Sequence, residues 1–211
     1  NHEARAFERL DDHRAPALAI GEKVSGGSGL LRAQAICPAW AFYRYRLGAR
    51  KLETPSEGLD ASRRGTMVHA MLEVFWTGVK DSASLNELSG QALRETVAAA
   101  AECALTQFEA AHGEKLAATF RRLEANRLQR LCQDWLTVER YDPANLDQRQ
   151  PFRVVACEEQ HTVALGQLRI NLVIDRVDES IVDGRRIVLD YKTGSTVDTK
   201  SWYGDQRITE P

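Results

Sequence analysis

The chain has 211 residues, 43% of them apolar and 27% charged, the balance of one globular domain with a sizeable core rather than a disordered or fibrous chain. Its 28 basic and 30 acidic residues leave a formal charge of −2, which counts against a general polyanion binder but leaves local patches open. No run of about 18 apolar residues offers a membrane-spanning helix, and Cys37, Cys103, Cys132 and Cys157 are too scattered for a disulfide framework or a self-contained zinc site.

Residues 1–29 read as a tether: the opening is charged, lacks the apolar stretch of a secretory signal, and ends in the flexible run Ser25-Gly26-Gly27-Ser28-Gly29. That run is no phosphate-binding loop, because Leu30-Leu31 follows where Gly-Lys-Ser/Thr would be needed. With no export signal and unpaired cysteines, the expected compartment is the reducing cytoplasm. The remaining span, 30–211, reads as a single domain. Residues 30–51 have a helical pattern that restarts at Pro38, with Ile36, Trp40, Tyr43 and Leu47 on one face. The stretch also carries Arg32, Arg44, Arg46, Arg50 and Lys51 and no acidic residue.

A second helix is expected over 61–78, capped by Ser62, stopped by Gly78, and apolar along Val68, Met71, Leu72 and Phe75. Two longer ones are expected over 89–111 and 115–140. The last buries Phe120, Leu123, Leu128, Leu131 and Trp135 and turns Arg121, Arg122, Arg127 and Arg130 to water. Pro143 and Pro151 bracket a loop, after which the period changes. Segments 152–165, 168–177 and 185–191 alternate apolar with polar as half-buried strands do, and Asp183-Gly184 signals a two-residue hairpin. Helices followed by an antiparallel meander make an α/β or α+β layout with the helices covering the sheet.

A two-residue turn at Asp183-Gly184 sets Val182 opposite Arg185, and therefore Asp175 opposite Lys192 and Val177 opposite Asp190. Asp175, Asp190 and Lys192 then share one face of the sheet, the two aspartates roughly 7–8 Å apart at the backbone. Converging carboxylates need a cation, and hard oxygen ligands suit Mg²⁺ or Mn²⁺, with Lys192 beside it for a phosphate. The other reading of the same spacing is an ordinary solvated Asp–Lys pair.

Ile174-Asp175-Arg176-Val177-Asp178 followed by Leu189-Asp190-Tyr191-Lys192-Thr193-Gly194 resembles the core motif of RecB-like nucleases of the PD-(D/E)xK superfamily. Two upstream segments resemble that family in the same order: Gln34 to Phe42, its Cys-Pro-aromatic helix, and Arg64 to Glu73, its Arg-Gly-Thr and histidine helix. The likeness is nearest to the C-terminal nuclease domain of AddB-type DNA repair and recombination proteins.

The resemblance implies a restriction-endonuclease-like α/β fold with a central mixed sheet. It implies His69, Asp175, Asp190 and the Tyr191 carbonyl as ligands of Mg²⁺ or Mn²⁺, and Lys192 as the catalytic lysine beside the two aspartates. Glu158 or Glu159 matches an acidic position on the preceding strand, and alternation lets only one of them point inward. Glu73, one helical turn from His69, is either an orienter of the imidazole or a surface charge. In some relatives the Cys-Pro cysteine ligates an iron–sulfur cluster. Four clustered thiolates are needed for that, and Cys103, Cys132 and Cys157 lack the spacing, so Cys37 is expected to be a buried small hydrophobe.

The implied activity is metal-dependent hydrolysis of DNA within a larger repair or recombination protein, with a helicase or helicase-like partner. The alternatives are a catalytically inactive DNA-binding or scaffolding domain and an RNA-directed nuclease of the same superfamily. Arg44, Arg46, Arg63 and Arg64, the first two interleaved with aromatics, are the candidate contacts to DNA of single-stranded character. The family's Gln-xxx-Tyr helix has no clear match at Gln206, where Glu210 replaces tyrosine, so the domain is expected to be cut short at its C-terminal end.

Overall fold

The computed structural model describes residues 14–52, 58–140 and 149–194. The expectations at the first residues, at Pro143 and at Gln206 lie outside them. The chain divides into two compact units.

The first unit takes residues up to Leu52 together with Thr162–Leu172. Helix α1 (Gly27–Ile36) ends at Cys37, whose extended backbone (φ −156°) serves as the N-cap of α2 (Pro38–Ala41), with Pro38 in the first turn as expected. A π-helical turn, Phe42–Arg46, follows directly. The Ser25–Gly29 run is not the flexible link expected of it: Gly27, Ser28 and Gly29 form the first turn of α1. The glycines are needed for packing, since a Cβ at Gly26 would stand 2.1 Å from the Tyr45 ring and one at Gly29 2.8 Å from its hydroxyl.

The face predicted from Ile36, Trp40, Tyr43 and Leu47 is also overturned. Val24, Leu30, Ala33, Ala41 and Ile170 make this core, while Trp40, Tyr43 and Leu47 are exposed. The break at Cys37 and the wider π turn each rotate the helical phase, so a single 3.6 period cannot be carried across them. Cys37, sitting at that break, is exposed rather than buried.

The second unit holds α3 (Ala61–Val79), α4 (Ser82–Glu87), α5 (Gly90–His112) and α6 (Ala118–Glu139). The cap of α3 is Asp60, whose carboxylate accepts from the Arg63 amide, and not Ser62. α5 packs against both α3 and α6. Its alanine-rich face (Ala100, Ala101, Ala104) lets the helices approach closely over Met67, Met71, Phe75, Leu105 and Leu128. On α6 the buried face is Glu124, Ala125, Leu128, Cys132, Leu136 and Glu139. Leu123 and Leu131, expected inside, are exposed. The apolar pattern misleads here because two buried glutamates on α6 hold arginines (Arg64 and Arg127 on Glu124, Arg176 on Glu139) and take positions that hydrophobicity would assign to leucine.

Among the described residues three strands form one sheet in the order β1-β2-β3: β1 (Phe152–Leu165), β2 (Leu168–Ser180) and β3 (Arg186–Leu189). The helices and the sheet together give the α/β class expected from the sequence. The start of β1 is stitched to the α3–α4 corner, where Val154 donates to the Lys80 carbonyl at 2.7 Å and Phe152 to Ser82 Oγ at 3.0 Å. The tight two-residue turn is Gly166-Gln167, between β1 and β2, with Gly166 at φ 61°. The β2–β3 turn is longer than expected. Ser180 donates to Arg185 O at 2.8 Å around the loop Ile181–Gly184, and Arg176 faces Leu189, Val177 faces Val188 and Glu179 faces Arg186. The register is thus two residues from the one expected. A slip of two leaves every side chain on its expected face, whereas a slip of one would have reversed them all.

Candidate active site

α3 turns one face into the core through Met67, Val68, Met71 and Leu72, and His69 leaves its edge with a half-buried imidazole. Its Nδ1 lies 3.2 Å from Glu158 Oε1 and 3.5 Å from Asp175 Oδ1, and its Nε2 lies 3.1 Å from the Tyr191 carbonyl oxygen. Tyr191 follows β3, and its amide donates to Asp175 Oδ2 at 2.5 Å. A helix, two strands and the segment after the third therefore deliver one imidazole, two carboxylates and one carbonyl to a single point.

Glu158 reaches that point through an unusual backbone. Its φ is +46°, in the left-handed region that side chains other than glycine rarely adopt. The two-residue alternation of β1 fails there: Ala156, Cys157 and Glu158 are half-buried in succession, while Glu159 is exposed and pairs with His161. Such strain persists where the surroundings over-determine it, and it clusters at functional sites. Burial pushes the Glu158 carboxyl above its usual range, opposed by His69 and reinforced by Asp175 and, more weakly, Glu73.

His69, Glu158 and Asp175 offer ligand atoms within 4.8 Å of one another, the one such cluster among the described residues. The donor set fits a divalent ion. Both imidazole nitrogens face oxygen acceptors, yet a neutral imidazole carries one N–H and can satisfy only one side. A cation among the lone pairs removes that conflict and the repulsion between the carboxylates, and one nitrogen with several oxygens is a donor set suited to Mg²⁺, Mn²⁺ or Zn²⁺.

The other expected residues stand apart. Asp190 and Lys192 form an ion pair with each other, about half exposed, and the Asp190 carboxylate is not in the cluster. Extending the β2–β3 register by one pair sets Asp175 level with Asp190, which keeps the two on one face. Glu73 is half-buried and touches the site through its charge on Glu158. Arg44 lies over the rings of Trp40 and Tyr45 at 5.8 and 5.5 Å. Arg46 is held by Glu22 and by the Pro16 carbonyl, Arg63 by Asp60 and Arg64 by Glu124.

Two structural contributors are not obvious from chemistry-bearing residue types. Gly65 is buried on α3, and a Cβ there would meet Thr193 Oγ1 at 2.8 Å. The missing side chain lets the segment after Lys192 lie against the helix that carries His69. Arg176, between Asp175 and Val177, is fully buried and donates to the Tyr191 hydroxyl at 3.0 Å. Both sit inside the resembling motifs, and that is the signal by which they could have been found. No curated protein matches the chain. Residues 30–207 match the PD-(D/E)XK nuclease superfamily, so the chain belongs to that superfamily, whose members are nucleases that use divalent metals.

Proposed function

We propose that the chain is a Mg²⁺- or Mn²⁺-dependent deoxyribonuclease domain, hydrolysing phosphodiester bonds within a larger, cytoplasmic DNA repair or recombination protein of the AddB type. The observation that carries this reading is the convergence of His69, Glu158 and Asp175 beside the Tyr191 carbonyl. A bound divalent ion supplies positive charge to a phosphate oxygen and acidifies a water molecule. Glu158, Asp175 and the Tyr191 carbonyl would hold the oxygen-rich side of that site, and His69 would supply its nitrogen. Lys192 is exposed and able to leave Asp190 for a phosphate, where its ammonium stabilises the charge that develops on the phosphoryl oxygens. Asp190, released from Lys192, becomes available as a further carboxylate on the same face.

The exposed surface of Trp40 and Tyr43, with Arg44, Arg50 and Lys51 and no acidic residue between Leu30 and Lys51, supports a single-stranded stretch of DNA as substrate. Stacking on flat rings and phosphate contact to cations suit unpaired bases. A helicase or helicase-like partner would supply such a strand. DNA cleavage in Mg²⁺ and in Mn²⁺ tests the reading. The wild-type chain cuts, and Asp190→Ala and Lys192→Ala each lose at least about a hundredfold in rate; undiminished cutting by either variant contradicts it. One observation favours a second reading, a DNA-binding domain without catalysis: Asp190 and Lys192 neutralise each other outside the cluster. Retention of DNA on a gel in Mn²⁺ with no cleavage would select it.

A further inference from the structure

Arg176 lies next to Asp175 on β2 and has no exposed surface. Its guanidinium sits 4.2 Å over the Trp76 ring. Nη2 donates to both oxygens of Glu139 at 3.0 and 2.9 Å, and Nε and Nη2 donate to Asp178 Oδ2 at 3.2 and 2.8 Å. Arg149 pairs with the same two carboxylates, so two cations and two anions close the network without residual charge. Burial, the largest influence, works to lower the Arg176 pKa, and Glu139 leads the groups that together raise it. Such a network is not an economical source of stability, because well-packed apolar side chains commonly do as well. The Arg176 nitrogen not spent on a carboxylate is Nη1, which donates to the Tyr191 hydroxyl at 3.0 Å.

Tyr191 is held at every other point as well. Trp135 meets its ring edge-on at 5.1 Å, and His69 does so at 5.8 Å. Its amide donates to Asp175 at 2.5 Å and its carbonyl faces His69 at 3.1 Å. The hydroxyl is thus anchored in the charge network while the peptide lies in the candidate metal site. Because the ring is rigid, fixing one end limits the other.

We infer that Arg176 is a positioning residue: by holding the Tyr191 hydroxyl it fixes the Tyr191 peptide, and with it the spacing among Asp175, the Tyr191 carbonyl and His69. Its consequence for metal affinity rests on the metal-site reading above; its consequence for the peptide does not. Tyr191→Phe removes the hydroxyl and keeps the ring, so the fold survives. Two measurements on the whole chain follow: hydrogen exchange of the amide at position 191, with the amides of Leu105 and Leu128 as core references, and titration with Mn²⁺. The amide at 191 should exchange about tenfold faster relative to the two references, and Mn²⁺ should bind about three- to tenfold more weakly. Unchanged relative exchange at 191, or an equal acceleration at all three amides, would overturn the positioning role. Selective acceleration at 191 in a chain whose wild type binds no Mn²⁺ would uphold that role and remove the metal-site reading instead.

Discussion

Glu158 meets His69 at 3.2 Å from a backbone at φ +46°, so the residue that completes the cluster is also the strained residue of its strand. Placing a side chain there costs about 1 kcal/mol or more, and burial beside Asp175 and Glu73 adds to the cost. Glu158→Gly should therefore stabilise the chain by about 1 kcal/mol in urea denaturation while weakening Mn²⁺ binding about tenfold. Loss of stability with unchanged Mn²⁺ affinity would show that the strain serves no site.

Gly65 and Thr193 couple the helix of His69 to the segment that carries Lys192. Gly65→Ala forces Thr193 Oγ1 away from 2.8 Å. The gain in helix propensity, about 1 kcal/mol, roughly offsets the overpacking, so the melting temperature should change little. Nuclease activity should fall about tenfold and recover in Gly65→Ala combined with Thr193→Ala. Failure of the second substitution to restore activity would refute the coupling.

Trp40 and Tyr43 keep 39% and 47% of their surface exposed, so their removal should cost about 1 kcal/mol, well short of a core truncation. If bases stack there, Trp40→Ala and Tyr43→Ala each weaken single-stranded DNA binding by about tenfold, read by fluorescence anisotropy. Equal weakening on duplex DNA would argue for a general charge effect in place of stacking.

The thiols differ in burial, and this sets a pH dependence. Burial pushes Cys132 up to about 12, against roughly 8.5 in an unfolded chain. Below the unfolded value both states are protonated and nothing is lost. As pH rises above about 8.5 the unfolded chain alone releases the proton, so stability falls, by about 2 kcal/mol at pH 10 from this group. Cys132→Ala, less stable at pH 7, should lack that component in denaturation curves at pH 7 and 10. At pH 8 a thiol reagent should modify exposed Cys37 first and Cys132 only on unfolding.

Much of the second unit was legible from pattern. The helix over Ala61–Val79 follows directly from apolar period, because it has one face in a single core, whereas β1 keeps its alternation only up to Ala156. The first unit was not, because the break at Cys37 and the π turn at Phe42–Arg46 reset the phase that a periodic reading assumes constant. In the site, motif likeness points to His69, Asp175 and the Tyr191 carbonyl, which lie close together, and a register error of two residues still leaves Asp175 and Asp190 on one face. Motif likeness offers Glu158 or Glu159, and alternation alone does not choose between them; the positive φ at Glu158 is what turns it to the cluster. Nothing in the spacing of Arg176 and Asp178 reveals that Arg176 bridges Asp178 to Glu139, on a helix far away in sequence.

The central claim is that His69, Glu158 and Asp175 together hold one divalent ion. Calorimetric titration of Mn²⁺ into the wild-type chain, His69→Ala and Asp175→Asn tests it without reference to any substrate. One site in the wild type, weakened at least about tenfold in each variant, is the predicted result. Equal affinity in all three proteins, or no binding by the wild type, would contradict it.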